Sequence, residues 1–266
     1  MQIRKQSIMI TAKSNSQMKY ISQLLKKKSA READRVFVCE GKKMFFEVLR
    51  QAPELLVKAY WSVRGLASLE EEETELLNAC PYEEVADDVF DSVAETVTPQ
   101  GVLAIVRMPV RTIDEMIDSG KGLLLLETLQ DPGNLGTILR TAEAAGIGGV
   151  ILSSDSVDAY GPKVVRATMG AIFRVPFLYA EHFTEVLSIL KLRGIRLYAA
   201  HLKGSVPYDE PDYAGRYAIM IGNEGNGLTD EATELADVRV RIPMEGKAES
   251  LNAAVAAAIL MYQARK

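Results

Sequence analysis

Three short stretches collect the residues that could do chemistry. The first is Asp131-Pro-Gly-Asn134, with Arg140 six residues beyond Asn134. The second is Gly222-Asn-Glu224-Gly-Asn-Gly227-Leu228, and the third runs from Pro243 through Met244 to Ser250-Leu251-Asn252. Gly222, Gly225 and Gly227 can take positive φ and let a ligand come close to the backbone. The Glu and Asn side chains beside them can accept and donate hydrogen bonds, and Arg140 offers a rigid fork of N–H donors. With His182 and His201 the only histidines, a histidine-based metal site or a Ser-His-Asp triad is disfavoured, and no metal is expected. Gly222-x-x-Gly225-x-Gly227 reverses the glycine spacing of the dinucleotide fingerprint, and the chain holds no Gly-Lys-Ser/Thr loop, HExxH helix or EF-hand loop.

Each of these stretches follows an apolar run. Leu123–Leu126, Tyr217–Ile221 and Val238–Ile242 read as inner strands of a mainly parallel sheet, closed by Gly or Pro. Ligands bind beyond the carboxyl ends of such strands. Asp131-Pro starts a helix with Leu135, Ile138, Leu139, Ala142 and Ala145 on one face, stopped by Gly146. Leu251-Asn252 opens an alanine-rich helix. Taken singly, each polar residue also has a plain structural role. Arg140 could pair with Glu143 or Asp131, and Ser250 could cap the last helix.

Between these landmarks, strands are expected at 150–152, 173–175 and 196–200, with helices at 162–169 and 182–192. Upstream, Ser14-Asn15 can cap a helix with Met18, Ile21, Leu24 and Leu25 on one side. Strands are expected at 36–39, 57–63, 82–85 and 102–106, and helices at 41–51, 68–79 (capped by Ser68) and 87–94. Trp61 reads as core rather than as a base-stacking surface. The alternation gives an α/β fold: a small N-terminal α/β domain over 1–107, a linker over 108–120 rich in polar residues, and a C-terminal domain over 121–266.

The 266 residues are 48% hydrophobic, ample for buried cores. No apolar run approaches membrane-spanning length, and Met1-Gln-Ile-Arg-Lys-Gln lacks a signal-peptide core. Cys39 and Cys80 are too few for a disulfide framework. A cytoplasmic protein is the simplest reading. The net charge of −5 is unevenly spread: residues 1–65 hold 14 Lys and Arg against 5 Asp and Glu, an excess of +9, which leaves −14 for the rest. Charge alone does not separate a face for a polyanion from a solvated basic face.

Taken together, Asp131-Pro-Gly-Asn134-Leu-Gly-Thr-Ile-Leu-Arg140, Ile221-Gly222-Asn-Glu224-Gly-Asn-Gly227-Leu and Ile242-Pro-Met244-Glu-Gly-Lys-Ala-Glu-Ser250-Leu251-Asn252 resemble the three motifs of the SpoU (TrmH-type) RNA ribose methyltransferases of the SPOUT superfamily. The resemblance covers residues 121–266. It implies a deep C-terminal trefoil knot, S-adenosylmethionine as cofactor and a homodimer with active sites near the subunit interface. It assigns cofactor contacts to Gly222, Ile242 and Leu251, with Met244 lining the pocket and Leu202 on the adenine side. It assigns Arg140, Asn134, Glu224, Ser250 and Asn252 to catalysis. The N-terminal part resembles, more weakly, the ribosomal-protein-like substrate-binding domain that often accompanies these enzymes, and its basic excess suits RNA phosphates.

The implied reaction moves a methyl group to a ribose 2′-hydroxyl. Arg140 stays protonated and is a poor base, so its expected role is to bind a nearby phosphate and stabilise oxyanion charge, while the other four orient ribose and loops. Ribosomal RNA is favoured as the substrate over transfer RNA. A catalytically silent RNA-binding or ribosome-assembly factor is the alternative from another class.

Overall fold

The computed structural model describes residues 9–78 and 80–265. The opening hexapeptide, Ala79 at the expected end of the acidic helix, and Lys266 lie outside them. The chain folds as two compact units: Met1–Pro109 with Tyr160–Phe173, and Val110–Ala159 with Arg174–Lys266.

In the first unit, β1 (Val36–Glu40), β2 (Leu56–Ser62), β3 (Tyr82–Val85) and β4 (Val102–Arg107) form a sheet of order β1-β4-β2-β3. β1 and β2 run antiparallel to β4, and β3 runs parallel to β2. Helix Ser16–Lys26 is capped by Asn15 and buries Met18, Ile21, Leu24 and Leu25, the face expected from spacing. Trp61 is fully buried, with its ring edge-on to Phe45 at 5.2 Å. Part of the basic excess serves the fold. Buried Arg31 donates from Nη1 to the carbonyls of Leu24 and Leu25 at the end of the first helix. Lys58 pairs with Glu83 and Arg64 with Asp91, whereas Lys26, Lys27 and Arg35 are exposed. Ser68 lies at the C-terminal end of helix Val63–Ala67 instead of capping the acidic helix, which spans Glu71–Asn78.

Within this unit the segment Tyr160–Phe173 packs on β1. Phe37 meets Tyr160 at 4.9 Å and Phe173 at 6.2 Å between ring centroids, and Arg166 faces the buried Glu40 carboxylate at 4.0 Å. The strand expected at 173–175 is instead a helical turn, Ala171–Arg174, and the strand begins later, at Phe177. Met169 and Gly170, both with positive φ, break the preceding helix, and the apolar triplet after them is buried as one turn.

The second unit is a seven-stranded sheet: β5 (Leu123–Leu126), β6 (Gly149–Ser153), β7 (Phe177–Ala180), β8 (Arg196–Ala200), β9 (Val206–Pro207), β10 (Tyr217–Ile221) and β11 (Val238–Arg241). The order is β7-β6-β5-β10-β8-β11-β9, and every pairing is parallel. Fully buried strands explain the uninterrupted apolar runs. Leu123, Leu125, Ile151, Leu197, Ala199, Ala218 and Met220 share one core with Phe183, Leu187 and Leu190 of helix Phe183–Leu192 and Ala232 of helix Asp230–Leu235. Helices Pro132–Ala145 and Ala253–Ala264 pack on each other. No helix is long and apolar enough to cross a membrane among the described residues.

From β5 the chain moves outward to β6 and β7, then returns to build β8, β10 and β11 on the other side. The loops after β5 and β10 therefore part at adjacent strands, the point where open parallel sheets place ligands.

The stretch read as a linker contains helix Ile113–Asp118, started by a reciprocal Thr112–Glu115 capping box. Its Met116 and Ile117 are buried in the core of the second unit. Met116→Ala is expected to destabilise the protein by about 2–5 kcal/mol in urea unfolding. A mere linker residue would leave the midpoint unchanged.

Candidate active site

The structure draws the three stretches together at the carboxyl ends of β5, β10 and β11. Asp131 caps helix Pro132–Ala145, its Oδ1 accepting from the Asn134 amide at 2.8 Å. That cap turns Asn134, 8% exposed, toward the loop after β10. There its Nδ2 donates to Glu224 Oε1 at 2.9 Å. The same oxygen accepts from the Asp131 amide and Oε2 from the Gln130 amide, both at 3.2 Å. Asn134 Oδ1 accepts from Asn252 Nδ2 at 2.8 Å, and Asn252 Oδ1 caps helix Ala253–Ala264 by accepting from the Ala254 amide at 2.9 Å. One chain of bonds thus links residues from all three stretches.

Burial works to raise the Glu224 carboxyl, but the bonds from Asn134 and from the Asp131 and Gln130 amides outweigh it and hold the group below its ordinary value. Glu224 is therefore ionised at neutral pH and accepts three donors across both oxygens, which suits an orienting anion better than a general base.

The loop after β10 closes on itself. The Asn223 and Gly227 backbones bond reciprocally at 2.9 Å, and Asn223 Oδ1 accepts from the Gly225 and Asn226 amides. Only Gly227 of the three glycines has positive φ, at 74°. Gly222 is required for a different reason, since a Cβ there would collide with the backbone of Gly227 and Leu228. Gly225 shows neither constraint.

Beside this network lies a cleft of about 700 Å³. Gly222, Glu224, Ile242, Met244, Ser250 and Leu251 line it, and so does Leu202, exposed by 64% on its wall. Ser250 is exposed and is not the helix cap, because Asn252 takes that place. Arg140 stands apart. It is exposed on its helix and outside the cleft lining, and Glu143, a partner it could have had, pairs with Arg174 instead. Sequence reasoning missed the amides of Gln130 and Asp131, which no side-chain pattern reveals. It also passed over Asn223, whose Nδ2 donates to the Thr128 carbonyl at 2.8 Å; an Asn beside glycines in a strand-end loop was the available signal.

The sequence profile of the SpoU rRNA Methylase family matches residues 121–262, and that of the MRM3-like substrate binding domain matches residues 15–104. Over 241 residues, 90% of this chain and 92% of the relative, the chain is 34% identical to the 23S rRNA (guanosine(2553)-2'-O)-methyltransferase RlmP of Bacillus subtilis. It is 32% identical over 224 residues, 79% of this chain and 78% of the relative, to the 23S rRNA (uridine(2479)-2'-O)-methyltransferase of Streptomyces viridochromogenes. The AdoMet-bound rRNA methyltransferase from Sinorhizobium meliloti superposes with a TM-score of 0.85 at 31% identity, covering 97% of each chain.

The depressed Glu224 carboxyl has a consequence for stability. Its contribution is complete above its unfolded-state value, about 4.5, and is lost as pH falls through the lower folded value. Urea unfolding of wild type and Glu224→Gln is expected to show a stability gap at pH 7 that narrows at pH 3. A gap that stays constant with pH refutes the assignment.

Proposed function

The chain belongs to the SpoU rRNA methylase family, and on that footing we propose how its residues divide the labour of the reaction. The protein is an S-adenosylmethionine-dependent RNA 2′-O-ribose methyltransferase, and the relatives named above act on 23S rRNA. The observation that carries the division of roles is that Glu224, Ser250 and Leu251 line one cleft while Glu224 is bonded through Asn134 to Asn252.

The cleft fits the cofactor. Its volume lies in the usual range for small-molecule sites of about 300–1,000 Å³. Leu202, Ile242, Met244 and Leu251 give it apolar walls for a base, and the backbone of the Gly222 loop offers polar groups for a ribose. When bound, S-adenosylmethionine supplies a methyl group on a sulfonium that departs as a neutral thioether. The work left to the protein is to place the ribose hydroxyl in line and stabilise the charge that grows on its oxygen. Ser250 and Asn252 orient the ribose side. Glu224 and Asn134 hold the first and second loops in fixed register. Arg140 binds the phosphate next to the target ribose and stabilises the oxyanion, with the proton leaving to phosphate or water.

The substrate is ribosomal RNA, gripped by the first unit through its exposed basic side chains. The protein is dimeric and the second unit is knotted, as the motif resemblance implies, and a cytoplasmic setting suits a chain with two lone cysteines. Dimerisation gives Arg140 a role it lacks within one chain, because a second copy can bring it to a neighbouring cleft. Ala254 and Met261 are buried within their own chain, whereas Val255 and Tyr262, each 47% exposed, form the outward side of the last helix.

Labelled methyl transfer to total RNA from cells lacking this gene, followed by nucleoside analysis, is expected to yield a 2′-O-methylnucleoside. In the same assay Arg140→Lys is expected to lose turnover by about 10- to 100-fold, because lysine cannot reproduce the guanidinium fork; near-normal turnover refutes that role. Co-expression of Arg140→Ala with Gly222→Val, each inactive alone, is expected to restore part of the activity if one copy's Arg140 serves the other's cleft. No recovery in mixed dimers refutes action across the interface.

A further inference from the structure

Among the described residues, Thr128 is one of three non-glycine residues with positive φ, at 53°, and it sits in the turn between β5 and the helix that carries Asn134 and Arg140. A β-branched residue is strained in the left-handed region and persists there only when its surroundings hold it. Here they do so at every polar atom. The Thr128 amide donates to Ser153 Oγ at 2.7 Å, and Thr128 Oγ1 donates to Asp155 Oδ2 at 2.9 Å. Its carbonyl accepts from Asn223 Nδ2 at 2.8 Å and from Gln130 Nε2 at 3.3 Å. Asp155 also accepts from Ser153 Oγ through Oδ1 at 2.5 Å, so its carboxylate grips both Thr128 itself and the Ser153 hydroxyl that holds the Thr128 amide. Two further bonds fasten the same turn to the end of β6: the Leu129 amide to Ser156 Oγ at 3.2 Å, and the Val157 amide to the Leu129 carbonyl at 2.7 Å.

The next amides along the chain, those of Gln130 and Asp131, are the ones that bond Glu224. Their direction is set by how the chain leaves Thr128. We propose that Asp155 is a positioning residue for methyl transfer: by clamping Thr128 in its left-handed conformation it aims the Gln130 and Asp131 amides at Glu224 and fixes the Asn134 helix against the loop after β10. Asp155 is absent from the cleft lining, so its effect reaches the reaction through alignment of the catalytic loops and leaves cofactor affinity alone. This rests on the reading of Asn134 and Glu224 as part of the catalytic machinery.

The test uses the full chain. Asp155→Ala is expected to lower kcat for methyl transfer by about 10- to 100-fold, the scale of a small misplacement, with the calorimetric Kd for S-adenosylmethionine unchanged. Adding Thr128→Gly to that variant is expected to recover most of the loss, because glycine takes positive φ without support. Thr128→Val, which keeps the strain and deletes the hydroxyl, is expected to behave like Asp155→Ala. Amide hydrogen exchange reads the same geometry without turnover: protection at Gln130 and Asp131 is expected to fall in Asp155→Ala and return in the double variant. Retained protection and kcat in Asp155→Ala, or a double variant no better than the single, overturns the proposal. Asn134→Ala separates the two levels. Lost turnover there with intact Asp155→Ala defeats the clamp alone, whereas intact turnover in Asn134→Ala defeats the underlying reading.

Discussion

The Glu224 carboxylate is the group on which the second unit's active end depends. It receives donors from the turn after β5 and from the helix that follows, while its own backbone belongs to the loop after β10. Those two loops leave adjacent strands, and side-chain bonds keep them together beyond the sheet: Asn223 Nδ2 to the Thr128 carbonyl, and the Thr229 amide and hydroxyl to the Glu127 carboxylate, beside those to Glu224. Three amide or carboxamide donors converge on this one charged acceptor, although its exposure to solvent reduces what each bond contributes. The bonds also fix direction. With both oxygens engaged, the side chain has little rotational freedom, and Asn134 in turn has one amide orientation that satisfies both Glu224 and Asn252. Reversing that amide would set its carbonyl oxygen against a carboxylate oxygen and its N–H₂ against another N–H₂.

That polarity explains why the two Asn positions do not stand alone. Asn252 spends its oxygen on the amides that open the last helix, which leaves only its N–H₂ to meet Asn134. Asn134 must then present its oxygen to Asn252 and its N–H₂ to Glu224. An ionised carboxylate, acceptor only, completes the series. The chain of donors and acceptors thus runs in one sense from a helix N-terminus to an anion. The cofactor cleft opens beside it, between loops that this chain holds in register.

Much of this arrangement was legible in residue order, for reasons tied to local physics. The four-leucine β5 and the run Tyr217–Ile221 announce buried parallel strands because both their faces are covered. Asp131-Pro and Gly146 mark the ends of a helix by capping chemistry that involves only near neighbours. Asn252 as a cap was masked by Ser250, two residues earlier and equally competent by type; only the direction in which the chain enters the helix separates them. The helix at 113–118 was obscured by the surrounding Pro, Ser and Gly, although Thr112 and Glu115 spell its capping box. The turn at Ala171–Arg174 was read as strand because a buried apolar triplet has no period long enough to tell the two apart. Arg140's isolation and the clamp on Thr128 depend on pairings between strands far apart in sequence, which no local pattern encodes.

The state of Glu224 also constrains how the hydroxyl can be activated. A base must hold a proton more tightly than its surroundings allow the free anion to persist. Glu224 has been driven the other way, its charge stabilised by the donors it accepts. Using it as a base would remove the charge that strengthens the bonds aligning the site at the moment alignment matters. Among the described residues no histidine lines the catalytic end of the network: His201 lies on the cleft wall with its Nδ1 turned back on Lys203. The reaction is thereby left to positioning and charge stabilisation. That is a workable division, because a sulfonium leaving group needs no acid and the oxygen needs mainly to be held in line. A site of this kind depends on the stiffness of its loops more than on the basicity of any one side chain, which is why so many of its bonds join backbone to side chain across the strand ends.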